Sequence, residues 1–255
     1  MIYNPLEQFT IFSLYPSFEI FSNNYSFILS FTNSNFFLIL NFIIFILFIT
    51  FLNVENEGKL KPNTFQFFLE SIFNFIYSML IENVGINSKK YFSWVFFVFL
   101  SLSLINLSGM IPYSFTVTSH LIITIWFALC IFIGLTLIGI KEHGFNFLSL
   151  FLPPGVSLGL APLLVVIEIL SYFIRVISLS VRLFANMMSG HILLKVLLGF
   201  AWTMMITNSV LYIIHFIPIF IVFLLLGLEL GVSLIQAYIF TILLCIYLND
   251  VVNLH

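Results

Sequence analysis

Apolar runs long enough to cross a bilayer alternate along this chain with short polar breaks. The first three are Phe36–Leu52, Tyr91–Leu107 and His120–Ile140. Two longer stretches follow, from Pro153–Pro154 to about Phe200 and from Trp202 to about Leu248. A membrane helix needs about 20 mostly apolar residues. The last two stretches exceed ~25 residues each, so they are expected to tilt or bend, with an interruption expected at Pro162 in the first and a bend at Pro218 in the second. Lipid admits only helices or closed barrels, because backbone groups must be paired internally. The alternating strands of a barrel are not visible, so the pattern predicts helices.

One stretch breaks the rule. Across Phe65–Glu82 the polar residues Gln66, Glu70, Asn74, Ser78 and Glu82 recur every fourth position. That spacing keeps them on one slowly drifting stripe, with Phe67, Phe68, Ile72, Phe75 and Ile76 mostly elsewhere. The pattern suits an amphipathic helix lying in the interface better than a crossing one. Charge agrees: if this helix does not cross, Lys59, Lys61, Lys89, Lys90 and Lys141 all lie on one side. The positive-inside rule makes that side the cytoplasm or a mitochondrial matrix. The expected fold class is therefore an all-α polytopic membrane protein. It has about five crossings and one interfacial helix, and the last two long helices pack as an antiparallel hairpin. Residues 1–35 form a polar-aromatic N-terminal extension and 36–255 a single membrane domain.

Composition strengthens this reading. The chain is 62% hydrophobic and 7% charged, with mean hydropathy +1.19. A net charge of −2, without any basic tract, argues against nucleic acid. Cys130 and Cys245 sit in apolar helical sequence and show neither a disulfide nor a metal pattern. The first basic residue is Lys59, so no basic presequence is expected. The 34 phenylalanines, with abundant Ile, Leu and Asn, hint at an AT-rich organellar genome.

The candidate chemistry starts with Arg182, inside the apolar segment SLSVRLFANMMSGH. Its guanidinium cannot shed its proton, and a mid-membrane charge costs roughly 3 kcal/mol. At 3.6 residues per turn, Glu168, Ser171, Arg175, Ser178, Asn186 and Ser189 fall within about 40° of Arg182. His191 falls on the opposite side. One alternative is purely structural pairing of Arg175 and Arg182 with Glu168 or with acids on the last helix. That helix carries Glu229, Ser233 and Gln236 on one face, with Asp250 near its end. Gly227 and Gly231 would permit close approach of a neighbouring helix. An antiparallel hairpin would bring His191 near Glu229 and Glu168 near Asp250. Carboxylates and imidazoles relay protons and arginine does not, so Arg182 would interrupt a relay rather than extend it.

The segments Ile167–Gly199 and Gly227–His255 resemble subunit a of rotary ATP synthases, in the mitochondrial form. So do NLSGMIPYSFTVTSHL (Asn106–Leu121), the ending IYLNDVVNLH and the opening NPLEQF. The resemblance implies that Arg182 faces a proton-carrying c-ring. It assigns His191 and Glu229 to the half-channel open to the intermembrane space, and Glu168 and Asp250 to the matrix half-channel. It makes Asn186 and Gln236 polar partners near the arginine, in a path that also includes Arg175. Ser180 stands where many members have Gly. The implied partners are the c-ring, a peripheral stalk and other membrane subunits, the lipid bilayer and protons. No cofactor or metal is implied, and no catalysis by the chain alone. The implied location is the mitochondrial inner membrane.

Two rivals come from other classes. A stand-alone ion channel or secondary transporter is expected to show repeated halves with broken helices, and no repeat is visible. A haem-bearing subunit needs facing histidines, whereas His120, His143 and His215 are isolated and His255 is terminal.

Overall fold

The structure is a computed structural model. It describes residues 5–14, 18–22, 25–54, 64–111, 114–144, 147, 151, 160–207 and 216–253. Lys59, Lys61, Pro153, Pro154, His215 and His255, all used in the sequence argument, lie outside the described residues.

Six α-helices carry the fold: α1 Asn33–Val54, α2 Thr64–Val84, α3 Phe92–Gly109, α4 Leu121–His143, α5 Ala161–Thr207 and α6 Phe216–Val252. Five of these provide stretches long and apolar enough to cross a membrane, and α2 does not. The N-terminal extension adds a feature that hydropathy did not reveal. It forms an antiparallel hairpin of β1 (Phe18–Ser22) and β2 (Tyr25–Leu29), followed by a bridge between Ser13 and Thr32. The first helix also starts earlier than its apolar run. Asn33 ties its first turn down, accepting from the Ser34 amide (3.0 Å) and donating to the Thr10 carbonyl (3.1 Å).

The two long helices differ from expectation in where they begin and end. No helix breaker stands at 200–202, so α5 continues through Trp202 to Thr207, where the polar Thr207–Asn208–Ser209 sequence follows. Pro162 is the second residue of α5 and Pro218 the third of α6. In a first turn the missing proline N–H has no intrahelical partner to lose, so Pro162 does not interrupt α5. At 47 residues, α5 is about 70 Å long, more than twice the ~30 Å hydrocarbon core. Gly227 and Gly231 also depart from the sequence reading. Nothing lies within 4 Å of where a Cβ would stand at either, so among the described residues no helix uses the approach they offer.

The chain divides into two compact units. The first comprises Met1–Ile49, Ser103–His120 and Phe184–Ile235. Its interior holds Asn33, Ser34, Asn41, Ser103, Asn106, Thr116, Thr118, Ser119, Glu229 and Ser233, all buried. Asn106 is fully buried and donates to the Ser233 carbonyl (3.2 Å).

The second unit comprises Thr50–Leu102, Leu121–Leu183 and Gln236–His255. It encloses an apolar core in which Ile76 and Leu80 of α2, Val95 of α3, Leu135 of α4, Leu183 of α5 and Leu248 of α6 have almost no exposed surface. Burial explains α2: Leu69, Ile76, Met79, Leu80 and Val84 share its inner face, while Phe67 and Phe68 stay exposed. Rings join it to its neighbours, Phe73 against Phe92 (centroids 4.5 Å) and Phe75 against Tyr238 (5.5 Å). At one end of this unit Glu142 accepts from Lys90 (2.5 Å) and Tyr91 (2.6 Å), and the His143 ring meets the Val252 carbonyl at 2.9 Å. Gly85, at φ 93°, makes the turn from α2 into the short 3-10 segment Ile86–Tyr91, a conformation that favours glycine.

Candidate functional site

The long antiparallel helices bring together the side chains that the sequence singled out, in two clusters. Within the first unit, His191 of α5 and Glu229 of α6 face each other, with Nε2 and Oε1 3.7 Å apart. Both are largely enclosed, their side chains 17% and 6% exposed. The separation is an ion-pair distance and too long for a hydrogen bond. His191 Nε2 and both Glu229 oxygens have no hydrogen-bond partner among the described residues. Buried polar atoms of this kind are costly unless they reach a partner or water. A cavity of about 260 Å³ opens beside them, lined by Asn186, Ser189, Gly190, Leu193, Glu229 and others. That is room for several waters, each needing about 30 Å³.

Within the second unit, Glu168 and Arg175 form a pair on α5 at 3.7 Å, and Arg175 also stands over the Tyr247 ring at 5.2 Å. The spacing of seven residues places both on one helix face, two turns apart. Half of the structural-pairing alternative is thus realised, since Arg175 is engaged by an acid of its own helix. Asp250 is half-buried on α6, three residues beyond Tyr247. The Tyr172 ring packs on Phe132 (centroids 4.0 Å). Gln236 is 3% exposed. Ser180 is fully buried, its hydroxyl bonded to the Ile177 carbonyl of its own helix (2.9 Å).

Arg182 behaves differently from both clusters. It is exposed, between the exposed Ile177 and Val181 on one side of the sequence and exposed Ala185 on the other. Among the described residues it has neither an ion pair nor a hydrogen bond. Along α5 it comes fourteen residues after Glu168 and nine before His191. A fixed cation on an apolar helix needs an anion or water beside it, and none of the described residues supplies that anion.

The model of the ATP synthase A chain family matches residues 35–249. The chain belongs to that family. The ATP synthase subunit a of Marchantia polymorpha is 50% identical over 258 residues, covering 100% of both chains. That of Chondrus crispus is 50% identical over 255 residues, with 100% of this chain and 98% of the relative covered. That of Brassica napus is 48% identical over 257 residues, covering 99% and 97%. Similarity at this level covers the whole length, the N-terminal region included. The family match covers part or all of each of the six helices, α2 included.

Some polar residues of this family member were missed in the sequence. Asn106 stands in a quoted motif but was given no role, although a carboxamide inside an apolar run is itself a signal. His120, isolated in the sequence, stacks on Phe115 (centroids 5.1 Å), and its Nε2 is buried without a partner among the described residues. Gly190 and Tyr247 carried no signal, because their parts depend on what another helix brings to them.

Proposed function

We propose that the chain is the stator proton-channel subunit of an ATP synthase membrane sector, working against a rotating c-ring in the mitochondrial inner membrane. The observation that carries this reading is Arg182, an exposed guanidinium on an apolar helix with no partner of its own among the described residues. A ring carboxylate arriving deprotonated is held near Arg182, which offsets the cost of an anion in lipid. It takes a proton by way of His191 and Glu229 and moves on neutral. After nearly a full turn it releases the proton toward Glu168 and Asp250. Asn186 and Gln236 supply polar contacts along the path, and Arg175 holds Glu168 in place. Each proton contributes about 2.3 kcal/mol per 100 mV of membrane potential, so several are used for each ATP.

In this reading the chain catalyses no bond change itself; ATP is made elsewhere in the complex, to which a peripheral stalk and further membrane subunits hold it. Residues 36–255 act as a single membrane domain, and α2 lies in the interface. The composition, rich in Phe, Ile, Leu and Asn, supports an organellar gene.

Arg182→Ala in the assembled complex tests the proposal. An ionised carboxylate left without its counter-charge costs roughly 3 kcal/mol. Proton-driven ATP synthesis per complex should then fall about 100-fold. Synthesis at the unaltered rate refutes the role. The purified chain alone in vesicles should carry no proton flux; flux without the ring would favour a stand-alone channel.

A further inference from the structure

Gly190 precedes His191 on α5 and has the closest neighbour of any glycine in the first unit. A Cβ built at Gly190 would lie 2.5 Å from Glu229 Oε1, 2.7 Å from its Cδ and 3.0 Å from its Cγ. At Gly199 on the same helix, nothing lies within 4 Å of the corresponding position. The Glu229 carboxyl thus occupies the volume that any other side chain at 190 would fill. It is held there with His191 Nε2 at 3.7 Å. The same carboxyl and Gly190 line the cavity that Asn186 and Ser189 share.

We propose that Gly190 is a positioning residue for proton transfer: its missing side chain is the seat of the Glu229 carboxyl, keeping that group within reach of His191 and of the cavity together. This rests on the proton-channel reading above. The atoms that would be met are the far end of a flexible side chain. A methyl at 190 therefore displaces the carboxyl at little cost in stability, and the loss falls on position. Misplacement of a reacting group by about 1 Å is worth up to about a hundredfold in rate.

The experiment measures proton-driven ATP synthesis per assembled complex, with assembly followed on native gels. Gly190→Ala should lower the rate about tenfold. Gly199→Ala, which adds the same methyl to the same helix in open space, should leave it unchanged. Glu229→Asp draws the carboxyl back by one methylene, so adding Gly190→Ala to it should cost less than about twofold. That loss of additivity is not expected of a glycine needed only for helix packing. An unaltered rate in Gly190→Ala overturns the proposal, and so do fully additive costs. Should Gly190→Ala fail to assemble, assembly of the double variant supports the shared space and its failure overturns it. Arg182→Ala run alongside separates the two ideas. If it lowers synthesis about 100-fold while Gly190→Ala leaves the rate unaltered, only the role of Gly190 falls; if it leaves synthesis intact, the channel reading falls first.

Discussion

The two units of this molecule are built from the same long helices and yet have opposite interiors. The second buries Ile76, Leu80, Val95, Val98, Leu135, Phe240 and Leu248, a tight apolar core with few polar groups. The first buries mainly amides, hydroxyls and a carboxylic acid, and few large apolar side chains. Several of its polar atoms, Asn41 Oδ1, Asn106 Oδ1, Thr118 Oγ1 and His120 Nε2 besides those of His191 and Glu229, have no partner among the described residues. In lipid, apolar burial does not drive helices together; close packing and hydrogen bonds do. A polar interior that leaves its groups unpaired is therefore poor scaffolding. Such an interior suits the water and protons that the proposed function brings to His191 and Glu229, whereas the second unit carries Glu168, Arg182 and Asp250 on a framework whose core is apolar.

Substitutions can break or sharpen that contrast. The largest effect on stability should come from Phe240→Ala, which empties a site 2% exposed in the apolar core. It should cost about 3–5 kcal/mol, read as a lowered melting temperature of the complex, with turnover per surviving complex retained. A sharp fall in that turnover instead would dissolve the distinction between scaffold and path. Glu229→Gln keeps the shape and removes the titrating group. Proton-driven synthesis should slow about tenfold, or ~1.4 kcal/mol, at unchanged melting temperature. It should not vanish, since neighbouring groups and water substitute in part.

Asn106→Leu is subtler. It deletes one hydrogen bond to the Ser233 carbonyl together with an unpaired acceptor. Stability should change by less than ~1 kcal/mol, while proton flux in reconstituted vesicles falls about twofold to threefold as a water-binding group is lost. Unchanged flux would remove Asn106 from the polar path. The smallest effect is expected for Glu142→Gln. The Lys90–Glu142 pair is solvent-exposed, and such pairs contribute little. Neither melting nor synthesis should move measurably.

Much of the fold was legible from pattern alone. Continuous apolar runs announced five spanning helices, and the fourfold polar spacing of Phe65–Glu82 set α2 apart from them, as its composition in the structure does. Helix ends were read less well. An apolar run does not reveal whether Pro162 or Pro218 sits in a first turn or mid-helix, and Trp202 looked like a beginning when it belongs inside α5. The hairpin Phe18–Leu29 was invisible to a hydropathy reading, because short strands carry little signal beside long spans. Among the functional candidates, helical angles placed Arg182 and His191 on different sides of one helix, and antiparallel packing anticipated the meeting of His191 with Glu229. The engagement of Arg175 by Glu168 and Tyr247 was only one of two readings until the distances were known.

The amino-acid order by itself determined which segments enter lipid, which side chains carry charge there, and the family to which they belong. Those follow from local composition and spacing, through transfer energies and helical geometry that need no neighbour. Tertiary structure decided which charges are satisfied from within. Arg175 finds an acid and an aromatic ring, His191 finds Glu229 above a missing side chain at Gly190, and Arg182 remains open to the outside. Pairing depends on distances of a few ångströms between residues far apart in the chain, and only packed helices set those distances.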